Sequence, residues 1–221
     1  MTEGELISLL LPNSKEASII FFDVGANCFS FGLYAKQIYP NATVYGFEAD
    51  ITVFNAAAKN KKIVKTDGLH YFNKAVSDVN GVSKFYPSLK YSDKEHRASG
   101  SLCVPVVDAA TNKMINGYRS LEFDITGYEV ETIRLDTFCA AEKITNIDYL
   151  HIDVQGAEDK VIRGMGELRP KYVYAETNLF GTSLYETTTT LDKFDAMLTS
   201  LNYSIFDRTH SDTMYVLNAH T

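Results

Sequence analysis

Two acidic residues, Asp23 and Glu48, each end a short apolar run, and Gly25 stands two positions after the first of them. In an open α/β sheet, the carboxyl ends of neighbouring strands line the crevice that binds ligands. A glycine at such a turn lets the backbone approach a ligand that a Cβ would block. A carboxylate at the second strand end can accept both hydroxyl hydrogens of a ribose. The spacing therefore predicts a site for a nucleoside-containing cofactor.

The turn after Asp23 favours one kind of cofactor. Residues 25–30 read GANCFS and lack the two further glycines of the dinucleotide motif G-x-G-x-x-G, which admit a pyrophosphate to a helix N-terminus. An acidic residue just before the turn would also repel a pyrophosphate. The same carboxylate suits a cationic ligand, and S-adenosylmethionine carries a sulfonium and an ammonium group. We therefore expect S-adenosylmethionine rather than NAD.

Three titratable residues could carry catalysis. His151 and Asp153 stand two apart on a predicted strand, which points them to one face, and Glu176 ends the next predicted strand. Two carboxylates at neighbouring strand ends can accept a proton from a substrate or bind one divalent cation. No distinctive spacing of metal ligands accompanies them, so we expect catalysis without a metal. The alternatives are that Asp153 caps the following helix and that His151 is a structural, partly buried residue.

The elements that would position these residues alternate between strand and helix. Apolar runs predict strands at 19–22, 44–47, 71–76, 147–153 and 172–175. Helical spacing predicts a short helix or arm within 1–17 and helices at about 30–38 (capped by Ser30), 51–62, 157–168 and 191–201. Apolar pieces at 203–206 and 214–217 flank a polar loop and predict a terminal antiparallel hairpin. The pattern predicts an α/β fold with a doubly wound, mostly parallel sheet.

Residues from about 80 to 127 break this alternation. They contain several Gly and Pro residues and short apolar pieces, and no helical period runs through them. We interpret them as a β-rich insertion, which is too long for an idle loop and is therefore expected to serve the function. The alternative is a partly mobile insertion. No repeat or linker divides the chain, so we expect residues 1–221 to form one domain.

The composition argues against several classes of partner. A net charge of −7 argues against nucleic-acid binding, which needs a basic surface. Three widely spaced cysteines suggest neither a disulfide framework nor a zinc site. No segment approaches the roughly 18 apolar residues of a membrane span. The N-terminus lacks the basic region of a signal peptide, so we expect a cytoplasmic protein without a membrane partner.

Four segments resemble, in order and spacing, the FkbM family of S-adenosylmethionine-dependent methyltransferases. They are DVGAN at 23–27, YGFE at 45–48, NKAVSD at 73–78 and YLHIDVQGAE at 149–158. The last is the most specific, since it is similar to the family's I-D-V-E-G-x-E. The resemblance extends from about residue 19 to about 180 and implies the class I methyltransferase fold, which is Rossmann-like.

The resemblance also implies roles for individual residues. Asp23, Gly25, Ala26 and Asn27 would surround the methionine portion of the cofactor, Glu48 would hold the ribose, and Ala75, Val76 and Ser77 would border the adenine. Residues 97–102 resemble a serine-rich stretch that would close over the site. Family members commonly methylate hydroxyl groups of sugars, glycans and secondary metabolites. We therefore expect an O-methyltransferase that acts on a sugar, a glycan or a related metabolite.

This chain departs from the family pattern at two positions. Phe29 stands where the family usually has a glycine, so either the cofactor sits slightly higher or Gly32 supplies the flexibility. Gln155 stands where the family usually has Glu, which keeps hydrogen bonding and removes a charge. Two other functions stay open. One is a nucleotide-dependent oxidoreductase, which Glu48 alone would permit, and the other is a catalytically degenerate binding module, which Phe29 suggests.

Overall fold

The computed structural model of the protein describes residues 1–11, 15–115, 120–177, 184–186 and 189–219. Within them, the helices are α1 (Glu3–Leu10), α2 (Ser30–Ile38), α3 (Ile51–Ala57), α4 (Lys61–Lys65), α5 (Leu135–Glu142), α6 (Glu158–Gly164) and α7 (Leu191–Ser200). The strands of the main sheet are β1 (Ile20–Val24), β2 (Thr43–Phe47), β3 (Leu69–Phe72), β10 (Tyr149–Ile152), β11 (Tyr172–Glu176), β12 (Tyr203–Arg208) and β13 (Asp212–Leu217). The remaining strands are β4 (Ala75–Val76), β5 (Gly81–Phe85), β6 (Ser88–Tyr91), β7 (Lys94–Glu95), β8 (Leu121–Phe123) and β9 (Tyr128–Ile133).

The main sheet has seven strands in the order β12-β13-β11-β10-β1-β2-β3. The five strands from β11 to β3 in this order pair in parallel. β13 pairs antiparallel with both β11 and β12, so the last two strands form a hairpin. This arrangement confirms the predicted α/β class, the mostly parallel sheet and the terminal antiparallel hairpin.

Strand β1 is buried on both faces, which explains its continuous apolar run. Phe21 packs on one side of the sheet in a cluster with Leu6 and Ile7 of α1. Phe22 packs on the other side in a cluster with Leu135 and Phe138 of α5. Because both faces are covered, the carboxyl end of β1 is held firmly between the neighbouring strands β2 and β10.

The predicted strand at 71–76 is wrong in one respect, because it is two strands in two sheets. β3 ends at Phe72, and β4 pairs with β9 in a separate three-stranded sheet of order β4-β9-β5. Asn73 lies between them, and its side-chain amide donates to the carbonyl oxygens of Glu48 and Ala49. These hydrogen bonds tie the chain to the end of β2 at the point where it leaves the main sheet.

Two predicted helices are shorter than expected. The helix predicted at 51–62 is divided into α3 and α4, because the side chain of Asn60 accepts the Lys62 N–H and begins a new helix. The helix predicted at 157–168 has its last residue at Gly164, just before Gly166 takes a left-handed φ of +55°. None of the described helices is both long and apolar enough to span a membrane.

The predicted cap of α2 is also wrong. Ser30 is the first residue of the helix, and Phe29 occupies the N-cap position without a side-chain hydrogen bond. Phe29 has a left-handed φ of +57°, which is unusual for a bulky residue. Its burial, described below, explains why this conformation is kept.

The described part of the predicted insertion contains β5 to β8. β5 pairs antiparallel with β9, and β6 pairs antiparallel with β7 and β8. The sequence patterns did not predict β9 or α5. Exposed and buried residues alternate along β9, so this strand lacks the continuous apolar run that marks the buried strands of the main sheet. Residues 12–14 of the predicted N-terminal arm and 116–119 of the predicted insertion lie outside the described residues.

Candidate active site

A cavity of about 250 Å³ lies at the carboxyl ends of β1, β2 and β10. Five of the predicted cofactor-binding residues line it, namely Gly25, Asn27, Glu48, Ala75 and Val76. The other three, Asp23, Ala26 and Ser77, are buried behind the lining. Of the predicted catalytic residues, Asp153 lines the cavity, whereas His151 and Glu176 do not. The structure thus brings most of the predicted residues to one place and separates them into a lining and a supporting layer.

Glu48 is held at the end of β2 by two backbone hydrogen bonds. The Asn27 N–H donates to its Oε2 at 2.8 Å, and the Asp50 N–H donates to its Oε1 at 2.6 Å. Burial raises the pKa of Glu48 to about 7 against the lowering effect of these donors. Each carboxylate oxygen keeps a second lone pair, so both remain able to accept a hydrogen bond from a ligand.

Gly25 allows a close approach between two strand ends. Its φ is +86°, and its N–H and that of Ala26 donate to the Phe47 carbonyl oxygen at 3.0 and 2.9 Å. A Cβ at Gly25 would lie 1.8 Å from the backbone oxygen of Asp153. The absence of a side chain is therefore required by the contact with the end of β10, before any ligand is considered.

Phe29 points into the core and not into the cavity. It is fully buried, and its ring stacks on Tyr71 with centroids 4.9 Å apart. The ring fills the space over two glycines, because a Cβ at Gly32 or at Gly46 would lie 2.4 or 2.5 Å from it. Gly32 therefore makes room for the Phe29 ring, which is a different role from the flexibility that was one of two alternatives expected at this turn.

Asp23 faces His151 on the neighbouring strand. The two residues are register partners, and His151 Nδ1 lies 3.0 Å from Asp23 Oδ1. Asp23 is 1% exposed, and its Oδ2 has no hydrogen-bond partner among the described residues. Burial lowers the pKa of His151, but the charge of Glu3 and the hydrogen bond to Asp23 outweigh it and raise this pKa to about 10. His151 is therefore a cation at neutral pH, without the free lone pair that a general base needs.

Gln155 joins the two predicted catalytic carboxyl groups. Its Nε2 lies 2.7 Å from Asp153 Oδ1 and 2.6 Å from Glu176 Oε2. Burial, followed by the charge of Asp153, raises the pKa of Glu176 to about 9, so Glu176 holds a proton at neutral pH. The alternative prediction that Asp153 caps α6 is wrong. The N-cap residue of α6 is Ala157, and no side chain makes a cap hydrogen bond there.

The insertion is fastened to the cavity by Arg97 and Asp50. Arg97 Nε and Nη2 donate to the two carboxylate oxygens of Asp50 at 2.9 and 3.2 Å. Asp50 is buried and also caps α3 by accepting the Thr52 N–H at 2.8 Å. Residues 98 and 100–102 line the cavity beyond this ion pair. Sequence reasoning missed the pair, because Arg97 and Asp50 are 47 positions apart and only Arg97 belongs to a segment of the resemblance.

Among the described residues, no group of three or more His, Cys, Asp or Glu side chains is arranged to hold a metal ion. The polar and apolar groups that line the cavity suit a nucleoside-bearing ligand instead. Glu48 supplies acceptors for hydroxyl groups, and Ala75, Val76 and Phe85 supply apolar surface for a flat ring. The residues present therefore fit S-adenosylmethionine.

Sequence comparison identifies relatives of the chain. Residues 23–205 match the profile of the Methyltransferase FkbM domain. The 2-O-methyltransferase NoeI of Sinorhizobium fredii is 32% identical over 183 residues, which cover 82% of this chain and 70% of NoeI. The 31-O-demethyl-FK506 methyltransferase FkbM of Streptomyces tacrolimicus is 31% identical over 180 residues, which cover 72% of this chain and 65% of that protein.

Comparison with solved structures supports the class I methyltransferase fold. The crystal structure of fibrillarin from Aeropyrum pernix in complex with natively bound S-adenosyl-L-methionine matches with a TM-score of 0.51 and 13% identity. The match covers 96% of this chain and 72% of fibrillarin, and at this identity it bears on the fold alone. The sequence matches favour a methyltransferase over the oxidoreductase alternative. The chain therefore belongs to the FkbM family of S-adenosylmethionine-dependent methyltransferases.

Proposed function

We propose that this S-adenosylmethionine-dependent O-methyltransferase transfers the methyl group to a hydroxyl of a sugar, a glycan or a related metabolite. The observation that carries the proposal is the Asp153 carboxylate, which lines the cavity and is held by Gln155 beside Glu176. The relative NoeI is a 2-O-methyltransferase, which supports a hydroxyl oxygen as the methylated atom.

In this proposal, Gly25 and Asn27 hold the methionine portion of the cofactor, Glu48 holds the ribose, and Ala75 and Val76 border the adenine. Support comes from their common position in the cavity lining. Asp23, Ala26 and Ser77 would act from behind the lining by fixing its shape, since all three are buried. When bound, S-adenosylmethionine supplies an electrophilic methyl group, and the electron pair of the broken C–S bond stays on sulfur.

The protein must also receive a proton, because a neutral hydroxyl is a poor nucleophile. We assign this role to Asp153. Glu176 is the second carboxyl group beside Asp153. Because it is protonated at neutral pH, it would add no negative charge to the site. His151, as a partly buried cation, would stabilise Asp23 rather than accept the proton.

The test combines an acceptor screen with a substitution. Candidate sugars and glycans are incubated with the protein and S-adenosylmethionine, and mass spectrometry identifies the product that gains one methyl group. With that acceptor, Asp153→Asn should lower kcat by about 10²–10⁴-fold while the Kd of S-adenosylhomocysteine stays the same. Asp192→Asn, an exposed substitution on α7, is the matched control.

Two results would count against the assignment. Near-wild-type kcat in the Asp153→Asn variant would remove Asp153 as the base. Loss of activity with a chelator, restored by a divalent cation, would make the carboxyl groups metal ligands instead. If S-adenosylhomocysteine fails to bind at all, the degenerate-module alternative would hold, although Phe29 no longer favours it because its side chain does not enter the cavity.

Three further expectations remain proposals. We propose that residues 1–221 form one domain, that the protein works in the cytoplasm, and that nucleic acid is not its substrate. The net charge of −7 supports the last of these. The three cysteines are free in the structure, which is in keeping with a reducing compartment.

A further inference from the structure

The Gln155 side chain contacts several parts of the site. Its Nε2 contacts both Asp153 and Glu176. Its Oε1 lies 3.5 Å from the Tyr185 hydroxyl oxygen, and that hydroxyl donates its single hydrogen to the Ser99 carbonyl oxygen of the insertion at 2.8 Å. The amide nitrogen therefore faces both carboxyl groups. In the reverse orientation, neither carboxyl group would have an amide donor.

The backbone at Gln155 is in a conformation that side chains rarely adopt. Its φ is +56°, and Gly156 follows with a φ of +97°. Glu158 braces this turn, because its Oε1 accepts the N–H groups of Val154 and Gly156 at 3.2 and 3.1 Å. Strained positions of this kind persist where the surroundings enforce them, and they concentrate at functional sites. The left-handed backbone at Gln155 therefore indicates that its side chain serves the site.

An amide at this position does what a carboxylate could not. Its two N–H hydrogens serve Asp153 and Glu176 together, whereas an ionised Glu side chain has only acceptors. An ionised Glu in place of Gln155 would also repel the Asp153 carboxylate, whose Oδ1 lies 2.7 Å from the Gln155 amide nitrogen. We propose that Gln155 is a positioning residue that holds the Asp153 carboxylate in one orientation at the cavity, ready to accept the proton of the acceptor hydroxyl. This inference rests on the proposed role of Asp153 as general base.

The main test replaces Gln155 by Met, which keeps length and removes both hydrogen-bond donors. We expect kcat to fall about tenfold to a hundredfold, with an unchanged Kd for S-adenosylhomocysteine. A hydrogen-bond donor to a carboxylate favours its ionised form, so loss of the Gln155 amide should move the acid limb of the kcat–pH profile to higher pH. Gln37→Met, on the exposed face of α2, is the matched control.

A second variant separates positioning from stability. Gln155→Gly relieves the left-handed backbone while it removes the amide, so we expect its Tm to equal or exceed that of the wild type while kcat still falls. A purely structural Gln155 would instead leave the kcat–pH profile of both variants unchanged. That result, or wild-type kcat in either folded variant, would overturn the proposal.

A third measurement does not depend on turnover. NMR of protein with ¹³C-labelled Glu carboxyl groups follows the titration of Glu176 in the wild type and in the Gln155→Met variant. Loss of the amide donor disfavours the ionised form, so we expect Glu176 to titrate at higher pH in the variant, and unchanged titration would refute the contact. If no acceptor is found but the titration shifts, the proposed function fails and the link through Gln155 stands.

Discussion

Replacement of Glu48 by Gln tests the cofactor site most directly. The substitution keeps the size of the side chain but leaves one carbonyl oxygen for two backbone donors, the Asn27 and Asp50 N–H groups. It also removes the charged acceptor that we propose for the ribose hydroxyls. Loss of a hydrogen bond to a charged group costs about 1.5–3 kcal/mol, which corresponds to roughly ten- to a hundredfold weaker binding of S-adenosylhomocysteine.

The pH dependence of binding gives this prediction a second measurement. Since burial raises the pKa of Glu48 to about 7, the carboxylate that would accept the ribose hydroxyls is lost as the pH falls below that value. Isothermal titration calorimetry should therefore show the wild-type Kd of S-adenosylhomocysteine rising by up to about tenfold per pH unit below pH 7. In the Glu48→Gln variant, the Kd should not rise in this way below pH 7. The exposed Glu142→Gln variant should show the same pH dependence as the wild type.

Circular dichroism first establishes that the Glu48→Gln variant is folded. Unchanged affinity in a folded variant would remove Glu48 from the ribose site. A wild-type Kd that stays constant from pH 8 to pH 5.5 would show that Glu48 does not need its charge for binding, and the argument from the raised pKa would then be wrong.

The stability of the ligand-free protein should change with pH in the opposite direction. The pKa values of Glu48, Glu158 and Glu176 are raised from 4.5 to about 7, 8 and 9, so the folded chain keeps protons that the unfolded chain releases. His151, raised from 6.5 to about 10, contributes stability that is present below pH 6.5 and is lost as the pH rises toward 10. All four groups bind more protons when folded, so stability falls as pH rises. Scanning calorimetry should show a lower Tm at pH 9 than at pH 6, and a Tm that rises over this interval would contradict the raised pKa values.

Three further predictions follow from contacts at the cavity. Gly25→Ala should prevent folding or lower Tm severely, because its Cβ would overlap the Asp153 carbonyl oxygen, and a thermal melt within a few degrees of the wild type would refute this. Cys28 is exposed and lines the cavity, so S-adenosylhomocysteine should slow its alkylation by iodoacetamide, with the two buried cysteines as unreactive internal references in mass spectrometry. Arg97→Met should loosen the insertion by leaving the buried Asp50 carboxylate unpaired, which hydrogen exchange would detect as faster exchange in residues 96–102, whereas unchanged exchange would exclude an anchoring role.

The strand ends of the site could be predicted because they follow from local patterns. Apolar runs that end in Asp23, Glu48, Asp153 and Glu176 mark strands buried on both faces, and parallel strands bring their carboxyl ends to one edge. The sequence pattern did not reveal which of these carboxylates faces a cavity. That property depends on the register between β1 and β10, which places Asp23 beside His151, and strand register is a long-range property.

The other differences between the predicted and the observed structure also have physical causes. At the break after β3, the side-chain amide of Asn73 donates to the carbonyl oxygens of Glu48 and Ala49, which follow β2 and lie 25 and 24 positions away in the chain. Gly25 was expected to admit a ligand, but the atom that forbids a Cβ is the backbone oxygen of Asp153, which follows β10 and comes after the whole insertion in the chain. Contacts of this kind are set by the finished fold and have no local sequence signal.

The packing of Phe29 has a consequence for how this loop can vary. The aromatic ring at position 29 and the bare backbones of Gly32 and Gly46 fill one volume together, so none of the three can change independently. A glycine at position 29 would leave a void the size of a phenyl ring, and an alanine at 32 or 46 would collide with that ring. The three positions should therefore show strong epistasis, and chimeras between this chain and a relative with glycine at position 29 will be viable only when the whole trio is exchanged.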